Sequence, residues 1–130
     1  MQDSNVVSKI ELIIRKDNNA EKKVVLSQCD YNFNKDFYSE EKNPIDINFS
    51  GTTKMMNDSL FIEWLANTEA EWSGSAKVFH RDQEEASISL EFDKSFVVSF
   101  SQSFSEYNSH NDAYFTVILK GVSFNNIKLN

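Results

Sequence analysis

Residues 88–104, "ISLEFDKSFVVSFSQSF", alternate apolar and polar side chains over most of their length. Ile88, Leu90, Phe92, Phe96, Val98, Phe100 and Phe104 share one parity. The other parity carries Ser87, Ser89, Glu91, Asp93, Ser95, Ser99, Ser101 and Ser103, broken only by Val97. A repeat of two belongs to a half-buried strand, because successive side chains leave a strand on opposite faces. A helix would scatter the same residues around its circumference. The segment outruns an ordinary strand, so a bend or bulge is expected at Asp93-Lys94.

The same period recurs on both sides. Ile10, Leu12 and Ile14 alternate ahead of a predicted hairpin turn at Asp17-Asn18-Asn19. The return strand is predicted to place Val25, Ser27, Cys29, Tyr31 and Phe33 on one side. A polar stretch from Asn34 to Asn43 leads to Pro44, which opens a strand with Ile45, Ile47 and Phe49 on one face. After a turn around residues 108–111, Ala113, Phe115, Val117 and Leu119 alternate again. The phase then slips at Gly121 to Val122 and Phe124, which predicts a β-bulge. The chain has only three glycines and one proline against 14 asparagines and 17 serines, so asparagine and serine are expected to supply the turns.

One window breaks the pattern. Residues 57–69, "NDSLFIEWLANTE", begin with the cap-type residues Asn57, Asp58 and Ser59. Leu60, Phe61, Trp64 and Leu65 then share a helical face, predicting a helix near residues 58–67. Six or more hairpin-linked strands with one inserted helix predict a mainly β, two-sheet antiparallel β-barrel or sandwich with one flanking helix, as a single domain over 1–130.

Chemistry is hard to find. His80-Arg81-Asp82 spells the opening of a kinase catalytic loop, but the Gly-rich loop, the strand lysine and the DFG segment have no counterpart. We read it as a strand running into a turn. No G-x-S-x-G elbow accompanies the serines, Glu84-Glu85 sits in a predicted turn, and His110 lies in a predicted hairpin turn. Cys29 is the sole cysteine, expected as a small buried strand residue, and two histidines with one cysteine give no metal-ligand spacing. No catalytic residue, cofactor or metal is expected. The net charge of -7 argues against a nucleic-acid partner. No apolar run approaches the roughly 20 residues of a bilayer span, so no membrane role is expected. Met1-Gln2-Asp3-Ser4-Asn5 lacks the features of a signal peptide, which leads us to expect a cytoplasmic chain.

The order of "SLFIEWL", "GSAKVFHRD", "ISLEFDKSFVVSFSQSF" and a final alternating strand resembles the Hcp tube proteins of type VI secretion systems, in the short version of Bacteroidota-type systems. Leu60, Phe61, Glu63, Trp64, Gly74, Leu90 and Phe92 are among the matching positions. The resemblance implies a structural subunit forming a homo-hexameric ring. Rings would stack into a tube that carries effectors, with sheath and tip proteins as partners and export without a signal peptide. One segment departs from the family pattern: "NKDFYSEEKNPI" has no glycine where the family's loop is glycine-rich. In this loop, residues 34–44, Phe37 and Tyr38 are expected to anchor on a neighbouring subunit or ring, with Glu40, Glu41 and Lys42 at the polar rim. The competing reading is a stand-alone β-sandwich module that binds glycan or peptide on an exposed Trp72 or Tyr107.

Overall fold

The computed structural model describes residues 6–35, 37, 38, 40, 44–54, 59–106 and 111–130. Among these residues, ten strands and one helix follow in order: β1 (Val7–Lys16), β2 (Lys22–Leu26), β3 (Gln28–Lys35), β4 (Ile45–Lys54), α1 (Leu60–Ala66), β5 (Trp72–His80), β6 (Ile88–Phe92), β7 (Lys94–Gln102), β8 (Asp112–Lys120), β9 (Ser123–Phe124) and β10 (Ile127–Lys128). Sheet A has the order β10-β9-β6-β5-β1-β2 and sheet B the order β3-β4-β8-β7. All pairings are antiparallel. Each sheet ends in edge strands, so the molecule is a sandwich and not a closed barrel.

The two sheets cross. β3 starts next to β2, one residue after it, and ends beside β9, where the rings of Tyr31 and Phe33 each lie 5.7 Å from Phe124. β2 and β9 sit near opposite sides of sheet A, so the strands of sheet B run across it. Leu12, Ile14, Val24 and Leu90 of sheet A meet Ile47, Phe49, Phe115 and Val117 of sheet B in one core. α1 closes the β7 side by inserting Leu60, Phe61 and Trp64. The Phe61 ring stacks on Phe100 at 5.3 Å and tilts against Phe115 at 4.7 Å.

Asparagine and aspartate, and not serine, take the left-handed turn positions among the described residues. Asp17 and Asn18 (φ 51° and 62°) turn β1 into β2, and Asn125 and Asn126 (φ 45° and 71°) turn β9 into β10. Two consecutive left-handed residues give the primed hairpin turn whose twist matches that of the strands.

Several sequence expectations need correction, and one cause covers most of them. Corners between the sheets invert which parity faces the core. At Ser27 the predicted single return strand breaks in two: β2 turns Val24 and Leu26 inward and leaves Val25 61% exposed, while β3 turns Cys29 and Tyr31 toward the core. At Asp93 the 88–104 segment crosses from sheet A to sheet B, so Ser95 and Val97 point inward. A bulge between Val97 and Ser99 absorbs Val98 and returns Phe100 to the core side. At Gly121 (φ 64°) the chain turns another corner from β8 to β9, in place of the predicted bulge. β3 extends through Lys35, so the connection to β4 is shorter than residues 34–44. The helix spans Leu60–Ala66, with Leu65 exposed and no side-chain cap bond from Ser59. Asn57 and Asp58 lie outside the described residues.

Candidate assembly surfaces

The residues with a chemical look separate on folding. His80 ends β5 and hydrogen-bonds Ser87 through Nδ1, the Arg81 amide donates to the Val6 carbonyl at 2.7 Å, and Asp82 sits at φ 66°. The tripeptide is therefore a strand end followed by a left-handed turn residue. Cys29 is half-buried, not fully buried, and its thiol is pushed up by that burial and by the charge of Asp30. A raised thiol is a poor nucleophile. No group of three metal-ligating side chains occurs among the described residues. His110 and Tyr107 lie outside them. Trp72, offered as an exposed stacking platform, is 2% exposed, and its Nε1 donates to the Asn67 carbonyl at 2.8 Å. The binding-module reading loses that platform.

The serine stripe is divided by the Asp93 corner. Ser87 and Ser89 stay with sheet A. Ser95 enters the core at 1% exposure, accepting from Trp64 Nε1 at 3.1 Å and donating to the Trp72 carbonyl at 2.8 Å. Ser99 and Ser101 pair with Thr116 and Tyr114 on the outer face of sheet B. That face carries amides and hydroxyls with Asp30 and Asp46 among them, and Lys54, Asp112, Lys94 and Lys120 toward the strand ends. Asn34 and Asn48 both donate to Asn32 Oδ1, at 2.9 and 3.3 Å, and Ser50 and Thr116 share a hydrogen bond of 3.0 Å.

The outer face of sheet A is charged instead. Glu11, 7% exposed, lies at the centre of its β2-β1-β5 side and pairs with Lys9 at 3.2 Å and with Lys23. Lys77 stands directly across from it on β5. This cluster has no counterpart in the sequence reading, since spacing in one strand does not show what a neighbouring strand places alongside.

The edges of sheet B are its most prominent feature. Among the described residues, β3 and β7 each have a strand on one side only, and they run 8 and 9 residues. Unpaired edges of that length invite pairing with another chain. Past the C-terminal end of β3, Phe37 and Tyr38 are 73% and 99% exposed, with the Lys35 ammonium 5.8 Å from the Phe37 ring. Glu40 is exposed as expected. Glu41 and Lys42 lie outside the described residues. No helix among the described residues is long and apolar enough to cross a membrane.

The described residues thus form a two-sheet sandwich with two long free edges and exposed aromatics past the end of one edge strand. The chain belongs to the Hcp family: the profile of the hemolysin coregulated protein Hcp (TssD) matches residues 5–130. This is a family of structural tube proteins and not an enzyme family. Among solved structures, the fold is similar to Hcp1 from Flavobacterium johnsoniae, at 13% identity over 92% of this chain and 98% of that one, with a TM-score of 0.67. It is also similar to a chain of the anti-feeding prophage baseplate, at 10% identity over 99% and 100% of the two chains and a TM-score of 0.65. A chain of the sheath-tube complex of an extracellular contractile injection system, PVC, aligns at 11% identity over 87% and 86% with a TM-score of 0.57. No protein of curated function matches the sequence. At these identities the structural likeness speaks for the fold, and the family profile for membership.

Proposed function

We propose that residues 1–130 act as one Hcp-like domain, the structural subunit of the inner tube of a type VI secretion system. Six copies close into a ring, and rings stack into a tube that carries effectors inside a contractile sheath. The observation that carries this reading is the family match over almost the whole chain. The open edges of sheet B support it: head-to-tail pairing of β3 in one copy with β7 in the next covers both and repeats with cyclic symmetry. Sheet A already covers one face of sheet B. A ring closed this way turns the other face, with its amides and hydroxyls and with Asp30 and Asp46 among them, toward its lumen. Partners in this reading are further copies, sheath and tip proteins, and effectors. His80 and Cys29 take no part in catalysis, and the protein leaves the cell through the tube it builds.

Residues Phe37 and Tyr38 serve as anchors on a neighbouring copy, with Glu40, Glu41 and Lys42 at the rim of that contact. Light scattering of the pure protein at micromolar concentration is expected to give the mass of six chains, and negative-stain images are expected to show rings. A monomeric mass throughout that range overturns the proposal.

A further inference from the structure

Sheet B narrows before it ends. The ladder between β4 and β8 starts at Ile47, opposite Leu119, because the chain leaves β8 for sheet A at Gly121. The ladder between β3 and β4 runs two residues further, with Asn34 opposite Asp46 and Lys35 opposite Ile45. That last stretch is a two-stranded overhang. A two-stranded ribbon is marginal in water and twists more than a sheet does.

Asn130 stands where the third strand is missing. Its Nδ2 donates to the Ile45 carbonyl at 3.0 Å, and its Oδ1 accepts from the Val122 amide at 2.9 Å. A carboxamide offers an N–H donor and a carbonyl acceptor, the same pair that a strand residue presents through its backbone. The neighbouring Leu129 amide donates to the Val122 carbonyl at 2.8 Å, and the Leu129 side chain packs on the core. Val122 itself is fully buried, so the strap is anchored at a fixed point.

We infer that Asn130 is a positioning residue for ring closure. It takes over the ladder that β8 gives up, and so holds the overhang of β3 in the plane in which β7 of the next copy has to pair. The overhang is the C-terminal end of an edge strand, and an edge that twists away from its sheet no longer presents a straight row of donors and acceptors. This rests on the ring assembly proposed above and assigns control of one of its edges to a residue outside both edge strands.

Two variants test the inference. Asn130→Asp keeps an acceptor for the Val122 amide but removes the donor to Ile45, and Asn130→Ala removes both without adding charge. A lost hydrogen bond of this kind depopulates the held edge, and a binding surface populated only in part binds correspondingly more weakly. For each variant, the protein concentration at which half the chains are in rings, read by light scattering, is expected to rise roughly two- to tenfold over wild type. Hydrogen exchange is expected to quicken at residues 32–35 and to stay unchanged in β1 and β5. Asn125→Asp is the matched control at the β9–β10 turn, where the amide bonds Ser89 and Ser87 instead, and is expected to assemble like wild type. If wild type forms rings and both Asn130 variants form them at the same concentration, the inference fails and the tube reading stands. Quickened exchange across the whole molecule would show that Asn130 holds the fold and not the edge, and equal loss in Asn125→Asp would show that any loosening of the hairpin suffices. Either result overturns the inference. If wild type forms no rings at all, both fail.

Discussion

At Gly74, opposite Ile14, β5 leaves no room for a side chain against β1. A Cβ built there would stand 1.9 Å from the Ile13 carbonyl oxygen, a backbone atom that cannot swing aside. Gly74→Ala therefore has to separate two central strands of sheet A. We expect a loss of about 3 kcal/mol, the upper part of the overpacking range, read as a fall in Tm of roughly 10 °C. Gly121 combines two constraints: a left-handed φ and an Asp93 side chain whose Oδ2 is 2.5 Å from where a Cβ would sit. Ser95 is constrained by its partners instead. Ser95→Ala leaves Trp64 Nε1–H without its acceptor and removes the donor to the Trp72 carbonyl, both buried. The expected cost is about 1–3 kcal/mol, seen as a lower urea midpoint at unchanged m-value.

Two elements carry further predictions. α1 is tied to the end of β1 by Lys16, whose Nζ lies 2.8 Å from Glu63 Oε1. That hydrogen bond, with the lysine charge, holds the Glu63 carboxyl below the usual carboxylate range. A carboxylate lowered on folding stabilises the native state above its ordinary value, and the contribution fades as pH falls through the lowered one. The pair is solvated, so the effect is small. Glu63→Gln should be slightly less stable than wild type at pH 7, and thermal melts of the two should converge on acidification. A gap that widens toward low pH contradicts this account. The β3–β4 connection is the second element. Phe37→Ala with Tyr38→Ala removes exposed side chains only, so the Tm should stay within a few degrees. Ring or tube formation should fall markedly in sedimentation, and assembly equal to wild type at every salt concentration would show that the connection is merely solvated.

At the scale of the whole molecule, a chain of net charge -7 repels its own copies, and in the assembly proposed above Glu40 and Glu41 would add like charges where rings meet. Screening shortens that repulsion, since the Debye length falls from about 30 Å at 0.01 M to about 10 Å at 0.1 M salt. Higher ionic strength is therefore expected to shift rings toward tubes in sedimentation assays, and a shift toward free rings would contradict the rim assignment. Much of the architecture was legible beforehand. Period-two alternation marked the strands, the Leu60-Phe61-Trp64-Leu65 spacing marked the helix though Leu65 is exposed, and the shortage of glycine pointed to asparagine and serine in the turns, of which asparagine serves, because these follow from covalent geometry and local conformational preference. What alternation could not convey is which sheet a strand joins. A single residue at Ser27 or Asp93 takes the chain around a corner and exchanges its inner and outer parities, which is how Val25 came to the surface and Ser95 to the core. The tertiary structure also decided the edges. That β3 and β7 end sheet B depends on pairings between distant segments, and a pattern within one segment carries no information about its neighbours.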